Sequence, residues 1–132
     1  SALSDGGTSR RIGLSDGSTN NRVTMEIDEN AGRIKTFMSS GGALVGSLDV
    51  SGISQTQDNK IAVVYKANSI EIYINGSLAD TDNLVSSSPV GLSQLQFSGG
   101  GGTANPFYGK TKDLQVYDVA LTDLELEVLT SL

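Results

Sequence analysis

Histidine, cysteine and tryptophan are absent from this 132-residue sequence, and aromatic residues make up only 5% of it. Without histidine there is no imidazole base, no Ser-His-Asp triad and no His-liganded zinc or haem. Without cysteine there are no disulfides, thiolate nucleophiles or iron–sulfur sites, although a core of this size needs no staple. Basic residues are few: nine Lys+Arg against fifteen Asp+Glu give a net charge of −6, the wrong sign for contact with a phosphate backbone. Nucleic acid is therefore not an expected partner. No apolar run approaches the ~20 residues of a membrane-spanning helix. The amino end, Ser1-Ala2-Leu3-Ser4-Asp5, carries neither the basic nor the apolar part of a signal peptide. The length fits one domain, 1–132, and 37% hydrophobic content suffices for one modest core. Lacking an initiator methionine, the sequence reads as a fragment or C-terminal domain of something longer.

What is present is glycine, serine and short runs of two-residue alternation, the pattern of strands joined by turns. Ile12 and Leu14 alternate with polar neighbours. After a polar tip, Val23, Met25 and Ile27 alternate against Arg22, Thr24, Glu26 and Asp28, which predicts a hairpin. Two further antiparallel neighbours follow, over Arg33–Met38 and Ala43–Val50. Lys60–Lys66 is apolar on both faces and is expected in the middle of a sheet. In Ser69–Ile74, Ile70, Ile72 and Ile74 share one face. Asn75-Gly76 then supplies the two positive-φ positions of a type I′ turn, returning the chain over Ser77–Val85. Leu92, Leu95 and Phe97 suggest another strand, Ser98–Pro106 a long flexible loop, and Phe107–Asp118 a last strand with Leu114 and Val116 inward. Thr122 and Glu125 form a capping box for one short helix, expected to dock through Leu121, Leu124, Val128 and Leu129.

The fold class this predicts is all-β: an antiparallel two-sheet jelly-roll β-sandwich with one short C-terminal helix. The alternative, an immunoglobulin-like sandwich, lacks the Cys…Trp…Cys signature.

Several ordered stretches carry a resemblance. They are Leu14-Ser15-Asp16-Gly17 with Asn20-Asn21-Arg22, then Asn59–Lys66, then Tyr73-Ile74-Asn75-Gly76. Phe107–Tyr117 and Ala120-Leu121-Thr122-Asp123 with Glu125-Leu126 complete the set. In this order they resemble the concanavalin A-like lectin/glucanase superfamily, and within it the laminin G-like domains of bacteriophage tail-fibre and virion structural proteins and of bacterial surface proteins. The resemblance implies a jelly roll that recognises glycans or protein surfaces, sometimes with a rim Ca²⁺. It also implies one or two strands before Arg10–Asp16 that this sequence lacks. That edge would be open, covered by a neighbouring chain or replaced by residues 1–9. The implied role is a non-catalytic module of a virion, extracellular or cell-surface protein. Its partner would be a glycan or another virion or surface subunit, and the chain would form a homo-oligomer such as a trimer. A purely structural oligomerisation domain is the alternative.

The superfamily's glucanases place three carboxylates at alternate strand positions. Here Glu26 and Asp28 share a face, but position 30 is Asn, so the third is missing. A partner-completed glycosidase would have to use Glu26 and Asp28; the plain alternative is a solvated strand end entering a turn. Asp80 and Asp82, with Asn83, are hard oxygen ligands at alternate positions and the Ca²⁺ candidates, against a plain polar outward face. Asp113 and Asp118 stand likewise. With no Trp, sugar-stacking surfaces are scarce. Tyr65 reads as core, and Tyr73 and Tyr117 as outer-face residues. Asn105, Phe107 and Tyr108, just after the Gly-rich loop, are the ligand candidates, with Asn20 and Asn21 on the tip of the first hairpin. Packing at the sandwich rim is the alternative for Tyr108. Gly99–Gly102 has no following Lys-Ser/Thr and is no P-loop.

Overall fold

Period-2 alternation becomes strands wherever a neighbour is available to complete the ladder, and the computed structural model shows which neighbours those are. It describes residues 1–102 and 104–132; Thr103, within the loop read over Ser98–Pro106, lies outside the described residues. The strands are β1 (Arg10–Ser15), β2 (Arg22–Ile27), β3 (Arg33–Ser40), β4 (Ala43–Ser51), β5 (Ile61–Lys66), β6 (Ser69–Ile74), β7 (Ser77–Asp82) and β8 (Gln94–Gln96), followed by helix α1 (Asp123–Thr130). They form two antiparallel sheets, one of five strands ordered β4-β3-β2-β1-β8 and one of three ordered β5-β6-β7. The sandwich with a short carboxy-terminal helix is thus the observed architecture.

The core lies where β4, β3 and β2 face the small sheet. Ile70, Ile72 and Ile74 of β6 pack with Ile34, Met38 and Leu48, and all of them are buried. Gly46 on β4 is the close approach here: a Cβ at that position would sit 3.1 Å from both Ile70 and Val85. Asn75 and Gly76 have φ of 53° and 90°, the I′ turn that returns β6 into β7. On the far side of the small sheet, Tyr73 and Val64 lie under Leu126 of α1. Tyr73 is therefore covered, and burial first, with the nearby Asp123 and Glu71 charges, pushes its phenol up to about 12.

Four expectations are corrected. Lys60–Lys66 is not mid-sheet: β5 is an edge strand pairing only with β6. Its two apolar faces answer to the core on one side and α1 on the other, and coverage above and below says nothing about lateral neighbours. Phe107–Asp118 is not a strand. Within it the only pairing among the described residues is a bridge between Gly109 and Ala2, and residues 110–120 are exposed. Leu121 packs as expected against the cluster of Val64, Tyr73 and Leu126, but helix α1 itself docks through Leu126 and Thr130, while Leu124 and Val128 point to solvent at 70% and 67% exposure. The capping box at Thr122 is present, but it fixes where the helix begins, not which face turns inward. Lastly, the start of the Gly-rich loop is packed rather than loose, with Ser98, Gly99 and Gly100 buried.

Strand β1 has neighbours on both sides within the chain, β2 and β8. Its edge is not open. Outside it lies the Gly-rich loop, admitted because Gly13 has no side chain: a Cβ there would stand 3.1 Å from the Ser98 carbonyl and 3.2 Å from the Gly100 nitrogen. Both contacts are main chain and cannot swing aside. Gly13→Val is expected to lift this loop and to cost roughly 1–3 kcal/mol, as overpacking does. A denaturation midpoint no lower than that of the parent would show the loop contact to be dispensable.

Candidate functional site

Cross-strand register on the large sheet decides what its outer face presents. Inward positions on β2 and β3 are Val23, Met25, Ile27 and Ile34, Thr36, Met38; the residues between them point outward. One rung reads Arg11, Glu26, Lys35, Asp49 across β1, β2, β3 and β4, with charges alternating in sign. The next reads Gly13, Thr24, Phe37, Ser47, and the third includes Ser15, Arg22 and Ser39. An open cleft of about 540 Å³ lies over these rungs, floored by Phe37 and edged by Arg11, Arg22, Lys35 and Asn20.

Two guanidinium groups meet over one ring. The Arg11 guanidinium carbon is 4.8 Å from the Phe37 centroid and that of Arg22 is 5.2 Å from it. Arg11 is tied to the buried carboxylate of Glu26. Among the described residues Arg22 is tied to no carboxylate: its Nη1 donates to the Gly99 carbonyl at 2.7 Å, and its buried Nε has no hydrogen-bond partner. Burial, and after it the like charge of Arg11, pulls the Arg22 guanidinium below its ordinary pKa. It remains a cation at any physiological pH. The loop that holds Arg22 is itself secured by Gln96, whose Oε1 accepts the Gly101 N–H at 2.9 Å. The charged lining of the cleft, Arg11, Arg22, Lys35 and Glu26, is net positive on a chain of charge −6. Such a floor, two forks of N–H donors stacked on one aromatic ring, is suited to a ligand bearing a carboxylate.

The sequence candidates distribute unevenly around this cleft. Asn20 lines it. Asn21 turns away, its amide donating to Asp16 at 2.9 Å and its carbonyl oxygen accepting the Gly41 N–H at 3.2 Å. Asn105 has φ 53° and its carbonyl accepts the Arg11 N–H. Phe107 packs against Phe97, with centroids 6.1 Å apart, and Tyr108 is 62% exposed outside the cleft. Asp80 and Asp82 lie on β7, where each carboxylate accepts a nearby main-chain N–H, from Thr81 and Leu84. Among the described residues no three acidic side chains gather as a metal cage.

Sequence reading did not pick out Arg11, Arg22, Lys35 or Phe37. The available signal was Phe37, an aromatic on the polar face of an alternating strand. Glu26 and Asp28 are corrected: they are not a solvated strand end but are 4% and 1% exposed. Asp28 pairs with Lys35 and accepts the Asn30 N–H at 2.7 Å, while Gln55 clasps the same turn through the carbonyls of Asp28, Asn30 and Arg33. Burial pushes the Asp28 carboxyl upward, but Lys35 and the Asn30 donors outweigh it and bring it from 3.8 to about 2.

The family model described as the concanavalin A-like lectin/glucanases superfamily matches residues 2–127. No curated protein matches the sequence. Among solved structures, the CBM40 module of the Ruminococcus gnavus IT-sialidase bound to α2,3 sialyllactose superposes with a TM-score of 0.78 at 20% identity, over 98% of this chain and 78% of that one. The same module bound to α2,6 sialyllactose gives 0.77 at 20% identity over the same shares, 98% and 78%. The leech intramolecular trans-sialidase complexed with 2,7-anhydro-Neu5Ac gives 0.74 at 20% identity, over 98% of this chain but 22% of the leech enzyme. At this identity the likenesses speak for the fold.

Because the folded value of Asp28 lies below its unfolded one, its carboxylate contributes stability that is full above about pH 4 and is lost as pH falls toward 2. Asp28→Asn should flatten that acid limb and cost about 2 kcal/mol at neutral pH. Denaturant melts of both proteins from neutral to acid pH test this, and an unchanged acid slope in the variant would refute it.

Proposed function

Since the chain belongs to the concanavalin A-like lectin/glucanases superfamily, we propose that it is a non-catalytic glycan-binding module whose outer-sheet cleft takes an acidic sugar of the sialic acid class. The observation that carries this reading is the pair of guanidinium groups over Phe37, one of them with a buried N–H that is unpartnered among the described residues. A carboxylate entering the cleft meets Arg22, whose charge no side-chain acid among the described residues neutralises, while the guanidinium groups stacked on Phe37 turn their remaining N–H donors to it. Sialyllactose in the R. gnavus module supports the ligand class.

A glycosidase built on Glu26 and Asp28 is the weaker reading. Glu26 is held by Arg11, and Asp28, at about 2, stays ionised when a general acid must be protonated. A cell-surface, secreted or virion protein is the setting proposed for such a module. The narrower context of a phage tail fibre rests on the ordered sequence motifs alone. No metal is required in this reading, since Asp80 and Asp82 lie on the small sheet, outside the cleft lining.

Titration calorimetry with 3′- and 6′-sialyllactose should show binding that lactose does not match. Arg22→Ala and Arg11→Ala should each weaken it about ten-fold or more, the scale of a lost charge-assisted hydrogen bond. Chelation by EDTA should leave it unchanged. Equal affinity for lactose, or full affinity in both arginine variants, would sink the acidic-sugar reading.

A further inference from the structure

Residues 111–118 alternate in the manner of a strand, yet among the described residues the main chain of 111–121 makes no hydrogen bond. The segment is exposed throughout, with Leu114 40% and Val116 56% exposed. It leaves an incipient ladder, since Ser1 and Lys110 exchange main-chain hydrogen bonds of 3.0 and 2.9 Å and the pairing stops there. A run of unpaired N–H and C=O groups carrying alternate apolar side chains is a template for strand addition.

The segment is also complementary to itself. In an antiparallel pairing of two copies centred on Gln115, Lys112 stands opposite Asp118 of the other copy, Asp113 opposite Tyr117, and Leu114 opposite Val116. Opposite charges fall at both ends, an aliphatic pair lies inside each, and Gln115 faces its own copy, whose amide both donates and accepts. A two-fold axis through Gln115 generates every one of these contacts twice, as an isologous interface requires.

We propose that residues 112–118 form a two-fold symmetric antiparallel strand pair with the same residues of a second copy of this chain. The dimer pairs the main-chain groups left unpaired in one copy and covers Leu114 and Val116. None of residues 112–118 lines the cleft over Phe37, so each dimer presents two open clefts. The proposal does not depend on what the cleft binds.

Sedimentation equilibrium over a range of concentrations should show a reversible dimer, with amides 112–118 gaining protection from hydrogen exchange as it forms. Lys112→Asp, which sets like charges opposite each other at both ends, should weaken dimerisation about ten-fold. Adding Asp118→Lys should restore it. Lys112 also pairs with Asp58 within the chain, so Asp58→Asn serves as the control and should leave the dimer intact. A protein that stays monomeric at its highest soluble concentration overturns the proposal, whether amides 112–118 exchange freely or are protected by another segment. A dimer that ignores Lys112→Asp, or that the second substitution fails to rescue, overturns it as well.

Discussion

The antiparallel register of β1 through β4 is the constraint from which both faces of the large sheet follow. Pairing Arg11 with Glu26, Glu26 with Lys35 and Lys35 with Asp49 places opposite charges side by side on every step of one rung. Each exposed pair contributes little, about 0.2–1 kcal/mol. Glu26, however, is buried, so separating it from Arg11 leaves a carboxylate without compensation, a far larger cost. A slip of one residue moves Ile34, Thr36 and Met38 out of the core and buries Lys35 and Phe37 in their place. Core and cleft are thus two readings of one register.

Arg22 is held differently from the other cations of the face, and this makes the cleft electropositive. A carbonyl, that of Gly99, accepts from it, so its position is fixed while its charge is not cancelled. That arrangement depends on glycine at position 13, which leaves room for the loop against β1. The overall charge of −6 opposes an approaching anion only at long range. At physiological salt the screening length is about 8 Å, so within the cleft the nearby guanidinium groups dominate.

Local chemistry was legible in the sequence wherever the determining residues are adjacent. Asn75-Gly76 reads as a I′ turn because both positions need positive φ, and Thr122 with Glu125 reads as a capping box because three residues contain it. Ile70, Ile72 and Ile74 declare their common face by spacing alone. Residues 107–118 alternate just as regularly and are no strand, because a ladder needs a neighbour that alternation does not supply. The helix face failed for a related reason: Leu124 and Val128 are spaced as well as Leu126 and Thr130 are, and only docking on Tyr73 and Val64 selects between them. The cleft joins positions 11, 22, 37 and 99, and nothing local links them. Asn20 and Glu26 are the sequence-chosen residues that lie in it.

The two sheets are unequal, five strands against three, and the inequality falls on β1 and β8. β4 packs on β6 and β7, and the core cluster reaches β2 through Val23. Beyond β2, Ile12 and Leu14 face inward but are only half buried, and Leu95 on β8 is 42% exposed. Outside the same strand the order is reversed: Gly13 and Ser15 are buried beneath the Gly-rich loop. β1 is therefore fixed more by the loop on its cleft side than by the core on its inner side. Full burial of a leucine or isoleucine is worth about 1.5–3 kcal/mol, and here that contribution is only partly realised. The strand that carries Arg11 thus takes much of its support from the loop that holds Arg22, so the two guanidinium groups over Phe37 stand or move together.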